Sequence, residues 1–209
     1  MLTLYTGKGT SGIAAHILLE EVGADYEVAW LSLPDGDHRT PDYLAVNPKA
    51  RVPTLVTPEG PLSENVAILT WIGQAHPQAG VLPESAYDLA RMQALNTYIA
   101  STVHVAFAHL LRGARWSDDP AAHESMKARV PGNLRECAAL IEAHYLGEPW
   151  AMGARYTAAD PYLLLVARWL MMNKVPLDET PGIKAHTDRL MARPATTRVL
   201  AAHGLSGPV

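Results

Sequence analysis

The sequence predicts an α/β half followed by an all-helical half, and three observations carry that prediction. Strand and helix signals alternate up to about residue 75, and strand signals vanish from about residue 84 onward. Between the two, Pro and Gly concentrate in HPQAGVLPESA (76–86).

The elements follow in order. LTLY (2–5) alternates as a short strand, and KGTSG (8–12) is a loop of small residues. IAAHILLEEVG then sets Ile13, Ile17 and Leu18 on one helical face and stops at Gly23. YEVAWL (26–31) reads as a second strand, so strand, helix and strand suggest a right-handed βαβ unit with a parallel pair. After a polar stretch (32–42), PTLVT and GPLS flank PEG, a hairpin signal. A helix over about 65–75 puts Val66, Leu69 and Ile72 on one face. Beyond the boundary, candidate helices cover 85–113, 121–146, 158–174 and 184–202, with Pro/Gly punctuation at 131–132, 147–149, 176 and 181–182.

Composition narrows the function. The 209 residues are 48% hydrophobic and 18% charged, which fits a globular chain and is too apolar for disorder. A net charge of −4 with no Lys/Arg cluster argues against a nucleic-acid partner. The single cysteine, Cys137, excludes an internal disulfide and a thiolate metal site, and fits a reducing, cytoplasmic setting. MLTLYT opens as a strand rather than a targeting segment. The most apolar run, PYLLLVARWLMM (161–172), is too short for a bilayer and contains Arg168, so it reads as a core helix. The nine histidines lack the spacings of a helical zinc site, so no metal is expected.

Several residues point to chemistry. Pro53 in ARVPTLV (50–56) has no N–H to give a central ladder, so it marks a strand start or a special turn. The polar step Ser63-Glu64-Asn65 opens a helix, a natural place for an anion. Together they suggest a receptor for a small, extended, carboxylate-bearing molecule. Thr157 and Asp160 have the spacing of a capping box and are assigned to folding, with a cap worth roughly 1 kcal/mol. His104 and Phe107, three apart, share a helical face. Cys137 keeps step with Leu134 and Ile141 and reads as core.

DYLAVNPKARVPTLV (42–56), LSENVAILTWI (62–72) and STVHVAF (101–107), taken in series, resemble a cytosolic glutathione S-transferase of the bacterial beta class. The resemblance implies a thioredoxin-like βαβαββα domain over 1–78 that binds glutathione, and an all-helical domain over 85–209 that receives a small apolar electrophile. It implies a cytoplasmic homodimer acting in detoxification. A cis bond at Val52-Pro53 would turn the Val52 N–H and C=O toward the bound tripeptide, like an added strand. Glu64 and Asn65 would hold the γ-glutamyl ammonium and carboxylate; Asn65 stands where the family usually has Ser or Thr. Arg51, where beta-class chains often have Gln, either reaches the glycyl carboxylate or is a plain loop arginine. His104 matches a histidine at the family's interdomain cleft.

A free thiol of pKa about 8.5 leaves little thiolate at neutrality, so a hydroxyl donor is expected beside it. Thr10 falls where beta-class chains carry cysteine and is the first candidate, adjacent Ser11 the second and Tyr5 the third. Thr10 and Ser11 can equally cap the helix starting near Gly12. Losing the cysteine argues against the rival readings of a glutathione-dependent peroxidase or reductase. A non-catalytic glutathione-binding protein of the same fold stays open.

Overall fold

A computed structural model describes residues 1–208; Val209, the last residue of the expected helical half, lies outside them. The first half runs β1 (Leu2–Thr6), α1 (Ile13–Glu21), β2 (Tyr26–Trp30), α2 (Pro41–Val46), β3 (Thr54–Thr57), β4 (Gly60–Ser63) and α3 (Asn65–Ala75). This is the expected βαβαββα order. The sheet order is β2-β1-β3-β4, with β1 and β2 parallel and the other pairs antiparallel. Leu4 stands opposite both Val28 and Leu55 at its centre.

Alternation along β1 buries Leu2, Leu4 and Thr6 and leaves Thr3 and Tyr5 half-buried on the other face. α1 is buried all round from Ile13 to Leu19, because α3 covers one side and helices of the second half the other. The hydrophobic core is therefore continuous across both halves. α2 lies beyond the βαβ stretch, opened by Thr40, whose side chain accepts the Tyr43 N–H, and by Pro41 in the first turn.

The second half comprises α4 (Ala86–Tyr98), α5 (His104–Ala108), α6 (Pro120–His144), α7 (Asp160–Met172), α8 (Pro181–Met191) and α9 (Pro194–Ala202). Two expectations need correction, and a third, the helix over 121–146, holds despite a proline inside it. The helix foreseen over 85–113 passes through a π segment at Ile99–Val103 and ends at Ala108, so Arg112 lies beyond it and Arg115 ends a short 3₁₀ turn, Gly113–Arg115. Pro131 does not interrupt α6. It costs a backbone hydrogen bond, but Val130, Leu134, Cys137, Ala138 and Ile141 keep one buried stripe across it. The helix foreseen over 184–202 is two, because Arg193 before Pro194 is extended (φ −84°, ψ 129°) and starts α9 anew.

α1 joins the halves by packing on α7 and α9. At that seam Arg193 grips Glu21 with two bonds of 2.6 Å, and Arg198 meets Glu20 at 2.7 Å. Asp160, fully buried, accepts from the Ala151 N–H (2.7 Å), the Thr157 N–H (2.6 Å), the Thr157 hydroxyl (3.0 Å) and His186 Nε2 (2.7 Å). The capping box is thus closed from the aspartate side, while the Thr157 hydroxyl takes the Ala159 N–H at 3.4 Å. Among the described residues no helix is long and apolar enough to cross a membrane.

Candidate active site between the two halves

The site begins with the loop after β1. The Thr10 hydroxyl donates to the Gly7 carbonyl at 2.9 Å and meets the Thr6 hydroxyl at 3.1 Å. No side chain caps α1, so neither Thr10 nor Ser11 serves as its cap. The Ser11 carbonyl accepts Asn65 Nδ2 at 3.0 Å, tying the loop to the start of α3. The Ser11 hydroxyl has no protein partner among the described residues, and Ser11 is one of the residues that line the cavity. Gly12 must be glycine: an added Cβ would come within 2.1 Å of Thr6 Oγ1 and 3.3 Å of Pro53 Cβ.

Buried imidazoles support this loop from behind. The Gly9 N–H donates to His203 Nδ1 at 3.1 Å, which leaves the proton on His203 Nε2, 3.2 Å from His16 Nδ1. Burial first, and then the His16 imidazole, Lys8 and Arg168, hold His203 down at about 3. His16 is held at about 4, again chiefly by burial. Both are neutral at pH 7.

Opposite the loop, the Val52–Pro53 peptide bond is cis, as is Glu148–Pro149. Arg51 C=O is fixed by the Tyr43 hydroxyl and by Asn47 Nδ2 at 2.9 Å, while the Val52 N–H and C=O have no backbone partner among the described residues. Next to them Glu64 opens α3 with φ 72° and ψ 121°, a conformation that costs a non-glycine residue about 1–3 kcal/mol and that clusters at ligand sites. Its carboxylate pairs with Lys49 at 2.7 Å. The first N–H groups of α3 lack intrahelical acceptors and border the same space. Asn65 is less free than the sequence suggested, because its amide is already engaged by Ser11, and its buried Oδ1 has no partner.

The far wall comes from the second half. His104 stacks on Trp169 (4.7 Å between centroids, 23° between planes), and Phe107 stacks on the same ring at 5.3 Å. Burial, then Arg112, Arg51 and Arg115, lower His104 to about 4, so it is a neutral hydrogen-bonding group at pH 7. Burial also pushes the Tyr162 phenol up, which keeps it a neutral donor. The enclosed space is a cavity of about 560 Å³, within the usual range for small-molecule sites.

Thr10, Ser11, Arg51, Val52, Pro53, Glu64, Asn65 and His104 all line this cavity. Tyr5 does not join them. β1's alternation sends its ring to the other face of the sheet, 5.6 Å from that of Tyr43. Sequence reasoning missed Arg39, Arg112, Arg115, Tyr162 and Trp169, which also line it. The basic pair in LLRGARW was a signal, but only folding brings it to face Arg51. Cys137 is buried on α6 away from the cavity, so no thiol of the protein faces the ligand space.

The glutathione S-transferase N-terminal domain family matches residues 1–74, and the corresponding C-terminal domain family matches residues 96–194. The chain belongs to the glutathione S-transferase family. It is similar to glutathione S-transferase GstA of Escherichia coli O157:H7, 31% identical over 211 residues, covering 98% of this chain and 100% of that one. A Sulfitobacter glutathione transferase homolog, solved with bound glutathione, is 35% identical with a TM-score of 0.93, covering 97% of this chain and 98% of that one. A bacterial beta-class transferase from Sphingomonas chungbukensis is 26% identical with a TM-score of 0.83, covering 97% and 99%. The cavity of this transferase thus lies at the junction of its two family domains.

Proposed function

We infer that this transferase binds glutathione against the half formed by residues 1–78, and passes its thiolate to a small electrophile with a flat apolar body held by the half from residue 85 onward. The Val52 backbone offers the peptide an added-strand partner. Glu64 faces the ligand ammonium, the α3 N-terminus takes the γ-glutamyl carboxylate, and Arg51 takes the glycyl carboxylate. Phe107, Trp169 and Met172 supply the apolar wall. A reducing, cytoplasmic setting fits the lone, buried Cys137. Family membership supports a homodimer, which sedimentation tests.

The observation that carries the chemistry is the difference between adjacent hydroxyls. Thr10 has one proton, and that proton is committed to the Gly7 carbonyl. Ser11 lines the cavity with its hydroxyl uncommitted. Ser11 is therefore the thiolate's donor, and Thr10 holds the loop's shape. A hydrogen bond to a charged group is worth about 1.5–3 kcal/mol, or roughly 1–2 pKa units. The test is the ultraviolet thiolate absorbance of bound glutathione against pH. Ser11→Ala should raise the apparent thiol pKa by about a unit or more. A rise in Thr10→Ala alone returns the role to Thr10, and no rise in either removes the hydroxyl mechanism.

A further inference from the structure

The cavity carries more positive charge than glutathione needs. Four guanidinium groups (Arg39, Arg51, Arg112 and Arg115) line it, against a single carboxylate, Glu64, which already has Lys49. None of the four arginines pairs with a carboxylate among the described residues. The lining is thus formally three positive. Glutathione as the thiolate has three negative groups and one ammonium, so it neutralises two. One positive charge is left over, on the side that faces the second substrate.

Placement says where that surplus lies. Arg112 and Arg115 follow α5, whose Phe107 stacks on Trp169, so they reach the cavity from the helical half, whereas Ser11 reaches it from the loop after β1. The guanidinium groups feel one another. Burial against the wall and then Arg51 lower Arg112, and burial followed by Arg112, Arg51 and Arg39 lowers Arg115. Cations pressed together in a concave site, with too few acids to match them, are relieved by an anion.

We propose that the electrophile of this transferase carries an acidic group, a carboxylate or its like, on a flat apolar body. The body lies along Phe107 and Trp169, and Arg112 and Arg115 take its charge. The inference rests on the glutathione reading above and specifies its second substrate. It replaces a purely apolar electrophile with an amphipathic one.

A matched pair of probes tests it. In 4-chloro-3,5-dinitrobenzoate and the neutral 4-chloro-3,5-dinitrobenzamide, the glutathione thiolate attacks the chlorine-bearing ring carbon. A carbon–sulfur bond forms, and the carbon–chlorine electron pair leaves as chloride. The two resulting conjugates, made chemically, are titrated into the whole protein by calorimetry alongside glutathione itself, so no turnover is needed. The carboxylate conjugate should bind at least about tenfold more tightly than the amide conjugate, with the gap shrinking as salt rises. In the double variant Arg112→Gln/Arg115→Gln the two conjugates should bind alike. The kcat/KM of the two probes, each divided by its uncatalysed rate, should show the same preference and the same loss.

Equal binding of the two conjugates to the wild type, with glutathione bound normally, overturns this inference alone. A double variant that loses glutathione affinity but keeps the preference for the carboxylate also overturns it, because the arginines then serve glutathione. Failure of glutathione to bind overturns both this inference and the reading beneath it.

Discussion

Acid should unfold this protein through its buried imidazole pair. An exposed histidine titrates near 6.5, whereas folded His16 sits at about 4 and His203 at about 3. The groups facing the pair are Glu20, which favours the His16 cation, and Lys8 and Arg168, which oppose protonation. Between the folded and unfolded values the unfolded chain holds more protons, so stability rises with pH there and is lost on acidification from pH 6.5. For His16 the gap from 6.5 to about 4, at about 1.36 kcal/mol per pH unit, amounts to roughly 3 kcal/mol. The larger gap at His203 does not simply add, because part of it is repulsion from a protonated His16. A loss of about 3–5 kcal/mol for the pair is a large share of an ordinary stability of about 5–15 kcal/mol. His16→Asn/His203→Asn keeps an acceptor near the Gly9 N–H and removes both titrations. Urea unfolding, followed by the fluorescence of the five tryptophans, should give the wild type a drop between pH 7 and pH 4 about 3 kcal/mol steeper than the double variant's. Parallel losses in the two proteins would refute the reasoning.

Three further outcomes follow from the geometry. Glu64→Ala removes the carboxylate that we assign to the ligand ammonium, and calorimetry should show glutathione affinity falling about tenfold or more; unchanged affinity takes Glu64 out of the site. Gly12→Ala drives a methyl into the buried Thr6 side chain, so urea unfolding should register a loss of about 1–3 kcal/mol, and a neutral effect would mean the loop can give way. Asp160→Ala leaves four buried donors without their carboxylate acceptor, which should cost about 3–5 kcal/mol, well beyond the roughly 1 kcal/mol of a simple cap. A chemical-denaturation loss near the smaller figure would reduce Asp160 to that cap.

Local patterns were enough for much of the first half. The small-residue loop before a helix, Pro53 at a strand mouth and a polar step opening α3 are signals within a few residues, and the structure gathers all three around one cavity. The same locality explains the misreadings. Pro131 and Pro194 look alike in sequence, yet one is absorbed within a buried stripe and the other starts a new helix, because burial rather than propensity decides. Tyr5 and Thr10 were both reasonable hydroxyls; strand alternation turned Tyr5 away, while Thr10 lines the cavity with its hydroxyl beside a carbonyl three residues back.

By itself, then, the sequence determined the order of elements, the division into two halves and the short segments that line the cavity, since each depends on neighbours in the chain. Only the tertiary structure decided which hydroxyl is uncommitted, that Asp160 binds His186 from another helix, and that Arg39, Arg51, Arg112 and Arg115 share one cavity. These arginines are far apart in sequence, and charges interact through space. Their meeting, on which the proposed acidic substrate rests, exists only once α1 has packed the helical half against the sheet half.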